Sequence, residues 1–178
     1  MAQPSEPAPV KFFVALLRGL TPPARIIEVL EEIAGPVDYQ SPLYPFDQTH
    51  YYQKEMGSDL QRQLISFTEL RSPEDLAAAK VKCNDMEQAL SSSGKRTVNL
   101  DIGCLDHNKI VLASVKGLGQ KIYLSQGIYA DLVARYGHGR YQPFEWTFPD
   151  FKEGRYDTDL AYIRQRYLEQ LRQARQQY

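Results

Sequence analysis

The sequence predicts a single α+β domain built on an antiparallel sheet, and three observations carry that expectation. A continuous apolar run near the amino terminus reads as a strand covered on both faces. Two amphipathic stretches, set among alternating segments, read as helices that bury their stripes on a common sheet face. Short alternating segments with glycine-containing links then follow, as in sheets built from hairpins. With 178 residues, 43% of them hydrophobic, the chain has the size and apolar content of one core.

Residues 1–9 hold three prolines and two alanines and predict a disordered tail, leaving 10–178 as the domain. Lys11-Phe-Phe-Val-Ala-Leu-Leu17 is the central strand. Thr21 before Pro22 and Pro23 supplies an N-cap and first turn for a helix over 22–34, with Ile26, Leu30 and Ile33 on one face and Gly35-Pro36 ending it. Strands are predicted over 37–43 and 61–70, the second with Ile65 and Phe67 on one face. Ser72-Pro-Glu-Asp75 opens a helix over 73–91 whose stripe is Leu76, Ala79, Cys83, Met86 and Leu90. Residues 97–105 alternate strictly, with Val98, Leu100, Ile102 and Cys104 on one side and Asn99 and Asp101 on the other. Segments 109–116, 120–125 and 127–136 suggest an antiparallel meander. A last helix over 158–176 puts Leu160, Ile163, Tyr167 and Leu171 on one stripe, with arginines mostly around it.

The order strand, helix, strand, strand, helix, strand up to residue 105 matches a ferredoxin-like split βαβ core, an antiparallel sheet with two helices on one face, extended here by the meander and the terminal helix. The aromatic and proline-rich loops 42–57 and 141–151 are the expected cover for the other face.

Lys+Arg 21 against Asp+Glu 22 leaves no global field for the phosphates of a long nucleic acid, which argues against that partner. No run approaches the roughly twenty apolar residues of a membrane span, and the start lacks the apolar centre of a secretory signal, so the expectation is a cytoplasmic protein with no membrane partner. Cys83 and Cys104 lie in apolar-periodic segments and not in a CxxC pair, as reduced core thiols do. His50, His107 and His138 stand far apart, so no metal site is expected, and nothing calls for a cofactor.

Pro45-Phe-Asp-Gln-Thr49, Tyr51-Tyr-Gln-Lys-Glu-Met-Gly57, Lys95-Arg-Thr-Val-Asn-Leu-Asp-Ile-Gly103, Ile122-Tyr-Leu124 with Gly127-Ile-Tyr-Ala130, and Trp146-Thr-Phe-Pro-Asp150 together resemble the bacterial family catalogued as domain of unknown function 4416. The resemblance runs from about Val10 to Leu171 and implies no established activity. Where relatives tend to read Asp-Pro-Gly-Tyr, this chain has Asp101-Ile-Gly-Cys104. A GTP-binding label attached to members of the family is testable on the residues. A P-loop needs GxxxxGK[ST] running from strand into helix. Here Ala89 stands where the first glycine belongs, Arg96 stands where the hydroxyl belongs, and the order is helix then strand. That nucleotide mechanism is excluded.

Asn99 and Asp101 are residue types disfavoured within strands, so either they form an exposed polar face or they line a pocket with Lys95 and Arg96 at its mouth. The loop 46–57 gathers Asp47, Thr49, His50, Tyr51, Tyr52, Lys54 and Glu55. Its structural reading has Phe46, Tyr51, Tyr52 and Met56 covering the sheet while Asp47 and Thr49 make turn bonds. Candidate acid-base groups are Asp47, Glu55 and Asp101. Candidate ligand-binding groups are Lys95, Arg96, Asn99, Asp101, Thr49, Tyr51 and Tyr52. Lys109, Lys116 and Lys121 are solvated strand ends or a basic rim, and Trp146 is a loop anchor or a stacking platform.

Two functions are consistent with these residues. One is a site for an anionic metabolite or nucleotide, phosphate- or carboxylate-bearing, in a cleft between the open sheet face and loops 42–57 and 141–151. The other is a non-catalytic protein- or RNA-interaction module, with RNA disfavoured because the exposed strand shows Asn99 and Asp101 in place of stacking aromatics. Monomer and homodimer both remain open, as does the question of catalysis.

Overall fold

The computed structural model describes residues 3–19, 25–47 and 51–176. Among these residues the chain forms a large open antiparallel sheet of nine strands and five helices. The strands are β1 (Val10–Arg18), β2 (Val37–Gln40), β3 (Tyr44–Pro45), β4 (Gln61–Arg71), β5 (Val98–Leu105), β6 (Lys109–Ser114), β7 (Ile122–Ser125), β8 (Ile128–Gly137) and β9 (Arg140–Pro143). The helices are α1 (Ile26–Ala34), α2 (Gln53–Met56), α3 (Asp75–Ala89), α4 (Pro149–Lys152) and α5 (Asp157–Gln176). The order across the sheet is β2-β4-β1-β5-β6-β8-β7, with β3 paired to β4 and β9 to β8.

The apolar run of β1 is buried from both sides, as its continuity predicts. Phe12, Val14 and Leu16 join Leu30 and Ile33 of α1 and Leu76 and Cys83 of α3 in one core. Phe13 and Ala15 join the core on the opposite face. The Thr21-Pro22-Pro23 cap lies outside the described residues; α1 is described from Ile26, preceded by Arg25 at a left-handed φ of 67°. Residues 3–9 carry no helix or strand and are exposed, and the Pro9 carbonyl accepts a hydrogen bond from the Tyr167 hydroxyl.

The second sheet face differs from expectation. α5 covers it through Leu160, Ile163, Tyr167 and Leu171, assisted by Tyr141, Phe151 and Tyr156. A twenty-residue helix about 30 Å long buries a stripe that loops of this kind do not match. The described residues of loop 42–57 cover one end of the sheet, where Phe46, Tyr52 and Met56 surround Leu17 and Leu60.

The meander is also corrected, because β6 pairs with β8 and not with β7. Gln126 and Gly127, both at positive φ (53° and 75°), form a two-residue hairpin link that locks β7 onto β8. The longer 115–121 connection imposes no such pairing, so β6 takes the other edge of β8. His138 and Gly139 (φ 50° and 82°) make the equivalent link to β9. The strand expected over 37–43 stops at Gln40, before Pro42, which has no ladder donor.

Candidate functional site

The sheet splits between β5 and β6. Their ladder holds only Gly103↔Leu112, Cys104↔Val111 and Leu105↔Ile110, although β5 begins at Val98. Gly103 sits where the strands part: a Cβ there would lie 2.5 Å from the Val111 carbonyl oxygen and 2.6 Å from Leu112 Cδ2. Only glycine permits that approach. Below this point α3 supplies what β6 does not. The Glu87 carboxylate accepts from the Leu100 N–H at 2.7 Å, and the Lys80 ammonium donates to the Leu100 carbonyl at 2.8 Å. Both side chains are buried, and their charged atoms stand 3.7 Å apart. The pair satisfies a strand edge that would otherwise hold costly unpaired groups.

The opening is a cleft of ≈ 340 Å³. Lys80, Asn84 and Glu87 of α3 line it together with Asn99 and Asp101 of β5, Ser114, Lys116 and Lys121 around the β6–β7 connection, and Asp131 of β8. Tyr51, Tyr52 and Phe148 complete the wall. The cleft therefore lies in the plane of the sheet and not on its open face.

Asn99 is buried; its Oδ1 accepts from Arg96 Nη1 at 3.1 Å, while its Nδ2 has no hydrogen-bond partner among the described residues. Arg96 Nε and Nη2 donate side-on to the two Glu55 carboxylate oxygens at 2.8 and 2.7 Å, and Nη1 also meets Glu87 at 3.3 Å. Hydrogen bonding to Glu55, then to Glu87, raises the Arg96 pKa against the opposing effect of burial. The same bond from Arg96 holds the Glu55 carboxyl below its ordinary range. Asp101 receives the Arg62 guanidinium at 3.0 Å. Arg62 is buried, also donates to the Ala15 carbonyl at 2.9 Å, lies 4.8 Å over the Phe46 ring, and stands 3.5 Å from Asp150, which the Tyr156 hydroxyl reaches at 2.9 Å. Burial works against the Arg62 charge, yet Asp101 and Asp150 more than offset it. Burial, then the Asp101 charge, pushes the Tyr52 hydroxyl up to about 12. At the mouth, Lys116 donates to the Tyr51 hydroxyl at 3.4 Å and lies 5.1 Å from that ring. Lys121 meets Ser114 Oγ at 3.0 Å and Asp131 at 3.3 Å.

Of the residues singled out in the sequence, Arg96, Asn99, Asp101, Tyr51 and Tyr52 converge on this cleft, and Glu55 joins it through Arg96. Asp47 does not: it pairs with Arg155 at 3.0 Å. Lys95 is exposed in the turn that follows α3, where its backbone bridges to Ser92, and it does not line the cleft. Thr49 and His50 lie outside the described residues. Trp146 anchors its loop, donating to the Leu132 carbonyl at 2.8 Å and stacking on Phe144. Lys109 pairs with Asp106, away from the cleft. Each of the three acid-base candidates, Asp47, Glu55 and Asp101, is ion-paired to an arginine.

Sequence reasoning missed Lys80, Glu87 and Arg62. A signal existed for the first two, since Lys80 and Glu87 fall four and eleven positions after Leu76, on the buried stripe of α3. Arg62 likewise alternates with Leu64 on β4.

Among the described residues no group of three or more His, Cys, Asp or Glu is placed to hold a metal, and no helix is long and apolar enough to cross a membrane. Cys83 and Cys104 are free and buried, and burial pushes both thiols up to about 12. The fold and cleft define an α+β protein whose open antiparallel sheet parts around a charged, aromatic-walled opening. Residues 8–167 match the family described as Domain of unknown function (DUF4416), and the chain belongs to that family. No curated protein and no solved structure matches the chain.

Proposed function

We propose that the cleft between β5 and β6 binds an anionic small molecule, carboxylate- or phosphate-bearing. The observation that carries this reading is Asn99 Nδ2, a buried donor without a partner among the described residues, in the wall of a polar cleft of ligand size. Lys116 adds a cation with no carboxylate within 4 Å among the described residues, beside the Tyr51 ring. The test is a thermal-shift screen of phosphorylated metabolites, nucleotides and small carboxylates on wild type, Lys116→Ala and Lys95→Ala. A stabilisation lost in Lys116→Ala but kept in Lys95→Ala is the expected result; a shift that both variants retain refutes it.

Within this reading the first six major elements form a ferredoxin-like split βαβ unit, supported by the order β2-β4-β1-β5 and by the core that α1 and α3 share. The cleft is the gap where the added β6–β9 unit departs from it. Two free buried thiols support a cytoplasmic setting. A protein-interaction role has one observation in its favour: Val115, Leu118, Ile122 and Tyr123 are exposed around the edge strand β7.

A further inference from the structure

The Arg96 guanidinium is held from inside and filled from outside. On the inner side Nη1 is fixed by Asn99 Oδ1 at 3.1 Å and by the Glu87 carboxylate at 3.3 Å, and Glu87 itself is buried and committed to Leu100. The Tyr52 ring, 5.8 Å from the guanidinium carbon, adds a third restraint. On the outer side the Nε/Nη2 edge presents two parallel donors, the geometry that matches a planar carboxylate. Glu55 occupies that edge with both oxygens. Its side chain is 38% exposed and it rides on α2, a four-residue helix with no buried residue that is bounded by Gly57 at φ 88°. An arginine with three fixed inner contacts and a solvent-exposed carboxylate on its fork is preorganised for exchange: the inner partners keep the fork in place when the outer one leaves.

We propose that Glu55 is a resident placeholder, and that the cleft's ligand is a carboxylate that displaces it from the Arg96 fork. This rests on the cleft being a binding site, and it narrows the anion to a planar carboxylate. Displacement frees α2 together with Tyr51 and Tyr52, the aromatic wall on its N-terminal side. The protein's own carboxylate thereby sets the threshold concentration at which ligand enters.

The test uses the full chain and simple probes: succinate, citrate and N-acetylglycine as carboxylates and inorganic phosphate as the tetrahedral counterpart. Affinities are read by titration calorimetry on wild type, Glu55→Gln, and Glu55→Gln combined with Arg96→Met. Glu55→Gln keeps shape and removes the competing charge, so carboxylate affinity is expected to rise about tenfold and to vanish in the double variant. Glu55→Ala, with circular dichroism and a urea melt to establish folding, guards against a glutamine that still blocks the fork. If carboxylates bind wild type through Lys116 and neither Glu55 variant binds them more tightly, Glu55 is a structural tie; the placeholder is overturned and the cleft reading survives. A gain for phosphate without one for carboxylates overturns the ligand class. If no anion binds even the folded Glu55 variants, whose fork is vacated, both readings fall.

Discussion

Replacing Gly103 with alanine tests whether the sheet parts where the geometry says it must. The new Cβ would stand 2.5 Å from the Val111 carbonyl oxygen, against 3.4 Å for ordinary contact, so β5 and β6 must separate by about 1 Å at their innermost pair. A backbone oxygen in a ladder has no rotamer to escape into. Overpacking of this kind costs about 1–3 kcal/mol, and a weakened ladder hydrogen bond adds about 1 kcal/mol, giving about 2–4 kcal/mol in all. For a chain of this length that corresponds to a fall of about 5–11 °C in Tm. Urea denaturation followed by circular dichroism, with a parallel thermal melt, measures both. Gly19→Ala is the internal control, because no described residue lies within 4 Å of its Cβ position, and it should stay within about 0.5 kcal/mol of wild type. If Gly103→Ala also falls within about 0.5 kcal/mol, the close approach is not a constraint and the account of the split is wrong.

The other expectations concern buried charge. Arg62→Met leaves Asp101 and Asp150 facing each other without their cation and should cost about 3–5 kcal/mol in a urea melt; a loss below about 1 kcal/mol would mean the cluster is solvated. Glu87→Ala removes the acceptor for the Leu100 N–H and should cost about 2–3 kcal/mol, whereas Glu87→Gln, which keeps an acceptor, should lose about half of that; equal losses would point to Arg96 as its main partner. Burial would raise the Asp38 pKa, but hydrogen bonds from Lys11, Ser66 and Arg166 outweigh it and hold the carboxyl below its ordinary value, while burial lowers the Lys11 pKa against the attraction of Asp38. Since the folded pKa of Asp38 is depressed, its stabilisation is fully present above the unfolded value near 3.8 and is lost as pH falls through the folded one. Urea midpoints from pH 7 down to 3 should show the gap between wild type and Asp38→Asn closing below about pH 4; a constant gap would remove Asp38 from the acid transition.

The elements whose environment is decided locally were legible in the sequence. The β1 run reads as doubly covered because Phe12 to Leu17 is unbroken apolar sequence, and α5 is readable because Leu160, Ile163, Tyr167 and Leu171 keep helical spacing over nearly its whole length. The common face of Asn99 and Asp101 also follows from period two. What sequence did not contain was the partner of each polar group. Arg62 reaches Asp150 across 88 positions and Asp101 across 39, and no spacing rule links them. α3 hid its charged pair because Lys80 and Glu87 break the apolar stripe they belong to, so a hydrophobicity pattern discards the two residues that cap β5. The exchange of order between β7 and β8 is another long-range choice, fixed by one two-residue turn.

The tie between α3 and Leu100 bears on the order in which the molecule assembles. Both peptide groups of Leu100 find their partners 13 and 20 residues upstream, whereas its neighbour across the β1 ladder is Leu16. The helix and the start of β5 can therefore close on each other as a local unit, with little loop entropy to overcome, before β1 returns from the far end of the chain. The same tie dictates what the Leu100 amide reports in deuterium exchange: its proton is released when α3 lifts away, so that single site times the opening of the helix layer and is blind to the separation of β5 from β6.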